Sequence, residues 1–317
     1  TKNSSGAVLS SGSSGWDRVR NTTYSPSTST AASLSTLPTT NASPTITSTY
    51  VQFKDVNGNV ISGDGGAKWF KLSDFTSSSE QTLNIGSQNS LTGAGRLTLN
   101  PITFSMGQDS VLNTLFSNQA LGKSFSAEFA SYSGTQLVID LNLGTTAVKK
   151  ISSIADGTTS VSVEYGQEFI KTYTKNSSGA VLSSGSSGWD RVRNTTYSPS
   201  TSTAASLSTL PTTNASPTIT STYVQFKDVN GNVISGDGGA KWFKLSDFTS
   251  SSEQTLNIGS QSSGAGSGRL TFNPITFSMG QDSVLNTLFS NQALGKSFSA
   301  EFAGYSGTQL VSDLNLG

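Results

Sequence analysis

The 317 residues include no cysteine and no histidine. Without cysteine there is no disulfide framework and no thiolate ligand, so an exported form would be stabilised by packing alone. Without histidine the commonest general base and the commonest transition-metal ligand are missing, which excludes Ser-His-Asp, Cys-His and HExxH chemistry. Charge is also scarce: 12% of residues are charged, and nineteen basic side chains balance nineteen acidic ones. A nucleic-acid footprint needs clustered Lys and Arg. The pair Lys149–Lys150 is too little to supply one, so no nucleic-acid partner is expected. No apolar run approaches the roughly 18–20 residues of a membrane span, and no signal peptide is visible at Thr1. The chain opens without Met, so we expect the true N-terminus to be out of view. The missing signal then says nothing about export.

What the chain does have is repetition. The stretch from Gly95 to Phe125, GRLTLNPITFSMGQDSVLNTLFSNQALGKSF, recurs at Gly268 to Phe298 with Phe272 in place of Leu99. At an offset of 173, residues 1–144 align with 174–317 without a gap. Seven positions differ: Asn89/Ser262, Leu91/Gly264, Thr92/Ala265, Ala94/Ser267, Leu99/Phe272, Ser131/Gly304 and Ile139/Ser312. Four of them fall in one Gly-rich loop, where change costs little. A period this long exceeds the roughly 20–50 residues of a solenoid unit and matches a whole domain. The chain is therefore expected to be a window on a longer tandem array, its second unit ending before the counterpart of Thr145 to Tyr173.

In chain order, residues 1–21 match 174–194 and read as the C-terminal tail of a preceding repeat. Residues 22–48, repeated at 195–221, carry no charge. Sixteen of their twenty-seven residues are Ser or Thr and three are Pro. Such a segment buries too little apolar surface to offset its ordering entropy and reads as a linker or arm. Fully extended it would span roughly 90 Å at about 3.3–3.6 Å per residue. A folded unit is expected at 49–194 and a second, lacking its last strands, at 222–317.

Alternation marks a first strand over Tyr50 to Val56 with an Asn57-Gly58 turn, a second at Trp69, Phe70 and Leu72, and a third over Thr82 to Ile85. Leu97, Leu99, Ile102 and Phe104 alternate around Pro101, which implies an edge or a bend. Val111, Leu112, Leu115, Phe116 and Leu121 form a helical stripe, opened by Asp109 and Ser110 and closed by Gly122. Period-two patterns follow at Phe125 to Phe129, Leu137 to Leu143, Ala147 to Ile154, Ser160 to Tyr165 and Glu168 to Thr174. Eight to ten strands with one helix suggest a mainly β fold, as a closed barrel or a sandwich.

The blocks VQFKDVNGNV, GGAKWFKLSDFT, GRLTLNPITFSMGQDSVLNTLFSNQALGKSF, QLVIDLNLGTTAVKKI, VSVEYGQEFIKTYT and GWDRVRN resemble, in order and spacing, the Hcp family. These are the tube-forming proteins of the bacterial type VI secretion system, related in fold to phage tail-tube proteins. The resemblance covers Tyr50 to Asn194 fully and Tyr223 to Gly317 in part. It implies a non-enzymatic β-barrel with one flanking helix that assembles with itself into hexameric rings and a tube. It also implies that the loop from Val60 through Ser62, Gly63, Asp64, Gly65 and Gly66 to Ala67 reaches a neighbouring ring. Family members are usually single short domains, whereas here the units are tandem and joined by arms.

Among candidate sites, Asp55, Asn57 and Asn59 begin like a calcium loop, but the twelfth position is Gly66 where a bidentate Glu is required, so a plain hairpin turn is expected. Glu80, Asp140 and Glu164 have no partner at catalytic spacing and read as solvated surface. Trp69 and Trp189 read as core or barrel-plug residues, and Trp16 is the counterpart of Trp189. The sequons at Asn21 and Asn41 are expected by chance in such arms. Ile139 and Ser312 share a position; a deep-core Ile→Ser change would cost several kcal/mol, so the site is expected to face a lumen or a partner.

The sequence therefore reads as a structural, self-assembling segment of a secreted bacterial fibre or tube, with no cofactor, no metal and itself as partner. Sheet edges left open in the second unit would invite pairing with another chain. Two alternatives stand: the stalk of a tandem-repeat adhesin, and a type VI tube or effector carrier.

Overall fold

The computed structural model describes residues 45–81, 97–175, 181–199, 218–256 and 269–317, together with 16–17, 22–23, 210 and 258. Most of both expected arms, the expected third strand at Thr82–Ile85 and four of the seven differing positions lie outside the described residues. Two sheets have two strands each: β1 (Trp16–Asp17) pairs with β2 (Thr22–Thr23), and β6 (Ser79–Gln81) with β7 (Leu97–Leu99).

In the first copy of the repeated sequence, β3 (Ser48–Lys54) pairs antiparallel with β4 (Phe70–Leu72) on one edge and with β9 (Phe125–Ser133) on the other. β9 pairs with β10 (Gln136–Ile154), β10 with β11 (Thr159–Lys175), β11 with β8 (Ile102–Met106), and β8 with β5 (Asp74–Thr76). Ser73 alone separates β4 from β5, and its N–H donates to Ser105 O at 2.9 Å. The pairings run β4–β3–β9–β10–β11–β8–β5, and Ser73 links the two end strands into a circuit. Pro101 sits at the bend between β7 and β8, where a missing N–H costs no ladder bond.

The circuit encloses a phenylalanine core. Phe53 stacks on Phe70 at 6.0 Å and meets Phe104 and Phe125 at 6.0 and 5.8 Å, while Phe129 meets Phe75 at 4.9 Å and Phe104 at 5.5 Å. Helix α1 (Val111–Leu121) packs Val111, Leu112 and Leu115 inward. Its N-terminus is satisfied by Asp109, whose Oδ1 accepts from Val111 N at 2.9 Å, and Gly122 ends it at φ 63°. Phe116 and Leu121, expected on the buried stripe, are exposed; only three of the five stripe positions face the barrel.

The second copy repeats this order with β14 (Ser221–Lys227), β15 (Phe243–Gln254), β16 (Leu270–Phe272), β17 (Thr276–Met279), α2 (Val284–Ala293), β18 (Ser299–Ser306) and β19 (Gln309–Leu316). Its core is the same cluster of rings, Phe226 against Phe243, Phe277 and Phe298, and Phe302 against Phe248 and Phe277. Its ladder runs β17–β15–β14–β18–β19.

One strand was not visible in the sequence. Val181–Asp190, placed in the folded unit without a strand assigned to it, forms β12 and lies along β11 from Gln167 to Lys175, followed by β13 (Thr195–Thr196). The Ser/Gly-rich text has no alternation. Gly188 is needed there, because a Cβ would meet Tyr197 O and the Phe169 ring.

Candidate assembly interface

The two copies of the repeat are joined by strand addition. β10 pairs with β9 only as far as Thr146, where the backbone turns through Thr145 at φ 47°. Beyond that point β10 keeps β11 on one edge and offers the other. Lys150–Ile154 on that edge pairs antiparallel with Thr249–Glu253 of β15, setting Lys150 opposite Glu253, Ser152 opposite Ser251 and Ile154 opposite Thr249. Opposite charges facing across strands favour this register. The hairpin is stiffened near its base by the Lys149–Glu164 pair at 2.9 Å and at its tip by Asp156, whose Oδ1 accepts from Thr158 N at 2.7 Å, with Gly157 at φ 89°.

Three further contacts support the join. Gln119, at the end of α1 and fully buried, donates from Nε2 to Lys149 O at 3.1 Å and to Ser252 O at 3.3 Å, and its Oε1 accepts from Ser252 Oγ at 2.7 Å. Arg191 donates to Ile258 O at 2.7 Å and to Leu99 O at 3.4 Å. Phe116, on the exposed face of α1, meets Phe272 at 6.2 Å, so one of the seven differing positions lies on the join.

The tip of the hairpin sits on the second copy. Ala155 packs against its core cluster, Ala155 O accepts from Thr222 Oγ1 at 3.5 Å and Asp156 O accepts from Ile219 N at 3.3 Å. The Ile219 side chain lies 3.2 Å from the Cβ position of Gly157 and 2.8 Å from that of Gly304. A side chain at Gly304 would displace Ile219, which gives the Ser131/Gly304 difference a physical reason.

The loop candidates fold back on their own copy. Val60 bridges to Lys54, and Ile61 N donates to Phe53 O at 2.9 Å. Asp64–Gly66 form a single 3-10 turn, with Gly65 at φ 59° and Gly66 at φ 77°. Asp64 N donates to Asp109 Oδ1 at 3.3 Å, tying the loop to the start of α1; burial raises the Asp109 carboxyl. Ser62, Asp64, Gly65 and Gly66 are exposed, while Gly63 is half-buried beneath Asp109. Asp55 accepts from the backbone of Asn57 and Asn59 and from Asn59 Nδ2, which lowers its pKa and completes a hairpin turn with Gly58 at φ 85°.

Ile139 is half-buried, pairs with Ser131 and Thr172, and lines a cavity of about 420 Å³. Ser312 is half-buried opposite Gly304. Trp189 lies opposite Glu168 and Thr196, and its Nε1 is buried with no acceptor among the described residues. Trp16 is in β1, and its side chain lies outside the described residues. Trp69 is buried beside Tyr50, Ala130 and Tyr132, capped by Leu210.

Asp140, read as solvated surface, is fully buried and accepts from Asn142 Nδ2 at 2.8 Å. The correction follows from strand period: Asp140 and Asn142 share the face of β10 opposite Leu141 and Leu143, and Asp140 pairs there with the buried Ala130. The sequence reading also missed Gln119, although a polar residue one turn beyond Leu115 on the apolar stripe is a visible signal. Gln119, Arg191 and the 150–156 hairpin come together at the join; among the described residues the 60–67 loop, Ile139 and Trp189 make no hydrogen bond or strand pairing across it. No helix among the described residues is long and apolar enough to cross a membrane.

No family model matches the chain, and no curated protein matches it. Among solved structures it is similar to one titled a type six secretion system protein, with 16% identity and a TM-score of 0.41 over 47% of this chain and 99% of that one. It is also similar to a mutant Hcp1 from the E. coli EAEC 042 pathovar (16%, TM-score 0.34, 44% and 97%). Hcp1 from Salmonella typhimurium is a third (13%, TM-score 0.35, 47% and 99%). The second and third carry the name Hcp in their descriptions.

Proposed function

We propose that the chain is a structural, non-enzymatic, self-assembling repeat segment of a secreted bacterial fibre or tube. Its units are barrels with one flanking helix, spanning 49–194 and 222–317, and its partner is itself. The observation that carries this reading is the pairing of Lys150–Ile154 with Thr249–Glu253. It is a heterologous contact, in which a hairpin on one unit meets a strand edge on the next. Repetition of such a contact gives a closed ring or an open filament, according to the rotation it imposes. Buried polar residues at the join, Gln119 and Ser252, fix its register, because either would lose its partners in a slipped pairing. The site of action is extracellular or at the cell surface, and the 60–67 loop, exposed at Ser62 and Asp64–Gly66, is a second contact surface between units.

Sedimentation velocity across a concentration series tests the reading. Growth of discrete larger species with concentration is the expected result. A single monomeric boundary at every concentration would refute it.

A further inference from the structure

The seat that holds the hairpin tip on the second copy has a counterpart on the first that stands open among the described residues. Ile219 and Thr222 bond to the tip, Ser250 pairs with Ser153, and Phe248 belongs to the core cluster that Ala155 packs against; their counterparts are Ile46, Thr49, Phe75 and Ser77. All four line the cavity of about 420 Å³, together with Ile139 and Leu141. Ile46 is 46% exposed on its wall, and Thr76, Ser77 and Ser78 are exposed where Thr249–Ser251 are half-buried under β10. We propose that this groove is a docking site for the Lys150–Asp156 hairpin of a second chain of the same sequence, seated as the chain's own hairpin is seated on its second copy. The proposal rests on the self-assembly reading and names the surface through which it operates.

Three features favour that occupant. The groove's apolar wall suits Ala155, which packs against the matching core in the second copy. The edge Thr76–Ser78 has the same sequence, TSS, as Thr249–Ser251 of the edge that accepts Lys150–Ile154. Thr49 stands where Thr222 donates to Ala155 O, although in the first copy its Oγ1 lies 3.0 Å from Ser131 Oγ. Within one chain the tip sits near its own seat at an effective concentration on the order of mM. Docking between chains therefore needs comparable concentrations, or a donor whose own seat is absent.

A backbone-cyclised peptide of residues 148–163 is such a donor. Fluorescence anisotropy of the labelled peptide against the full chain should show saturable binding with one site per chain. Ser77→Pro, just past the end of β5, and Ile46→Glu should each weaken it by about tenfold or more, and Ala155→Asp in the peptide should do the same. No binding, or binding undiminished in both chain variants, overturns the proposal. If the chain assembles in sedimentation while the peptide fails to bind, this groove is excluded and self-assembly stands. If the peptide binds and the chain stays monomeric, the groove stands and self-assembly falls.

Discussion

Gln119 and Ser252 form a reciprocal pair across the join between the repeat copies: Ser252 Oγ donates to Gln119 Oε1 at 2.7 Å, and Gln119 Nε2 donates to Ser252 O at 3.3 Å. The counterpart in the second copy, Gln292, is exposed. Identical sequence on two helices thus meets two environments, which supplies an internal control.

Gln119→Ala should lower unfolding stability by about 1–3 kcal/mol, since it leaves Ser252 Oγ and Lys149 O short of partners. Gln292→Ala should stay within about 0.5 kcal/mol of the parent, as exposed positions do. Urea denaturation of both variants is the check.

Leu210 covers Trp69 among Tyr50, Ala130 and Tyr132, whereas Trp242 in the second copy is 37% exposed. Leu210→Ala should therefore shift tryptophan emission to the red and raise quenching by acrylamide. It should cost about 2–5 kcal/mol if the whole chain feels the loss. Unchanged emission would show that Leu210 does not cover the ring.

Two carboxylates predict opposite pH trends. For Asp190, burial opposes the charge, but Arg193 N, Gln167 Nε2, the Arg193 guanidinium and Val192 N all donate to it and hold its pKa below 3.8. The folded state then binds fewer protons than the unfolded, so this stability is present above about pH 4 and is lost as pH falls through the lowered value. Burial raises Glu168 above 4.5 despite the Tyr165 hydroxyl donated at 3.0 Å. Its contribution runs the other way and is lost as pH rises above 4.5. Asp190→Asn should lose stability at pH 7 and much less at pH 3. Glu168→Gln should gain at pH 7 relative to pH 4. Denaturation curves at those values check both.

The Ser131/Gly304 difference sets how deeply an isoleucine folds over the tip. Gly304→Ser should push Ile219 off Gly157 and weaken the intrachain seat by about 1–3 kcal/mol through overpacking. Ser131→Gly should let Ile46 close over the open groove and tighten peptide binding there. Anisotropy titration reads the second effect, and hydrogen exchange at Lys150–Ile154 reads the first.

The helix from Val111 to Leu121 and the first strand were legible because apolar period and capping chemistry agree there. β10 and β11 read as two strands each, because Thr145, at φ 47°, and Gly166 interrupt the pattern while the ladder continues past them. β12 was illegible: its Ser/Gly text is held by backbone pairing to β11, which leaves no signature in side-chain period. The join was hidden for a related reason. The SSS run that accepts β10 reads as loop, and only a partner edge makes it a strand. Conversely, the buried Trp69 position was recognisable from volume and type alone.

Electron microscopy of the full chain at concentrations spanning the sedimentation transition tests the central claim most directly. Rings or a filament with a fixed repeat, built from barrel units joined through the 150–156 hairpin and abolished by Ser77→Pro, are the predicted result. Separate particles of single chains at every concentration would contradict it.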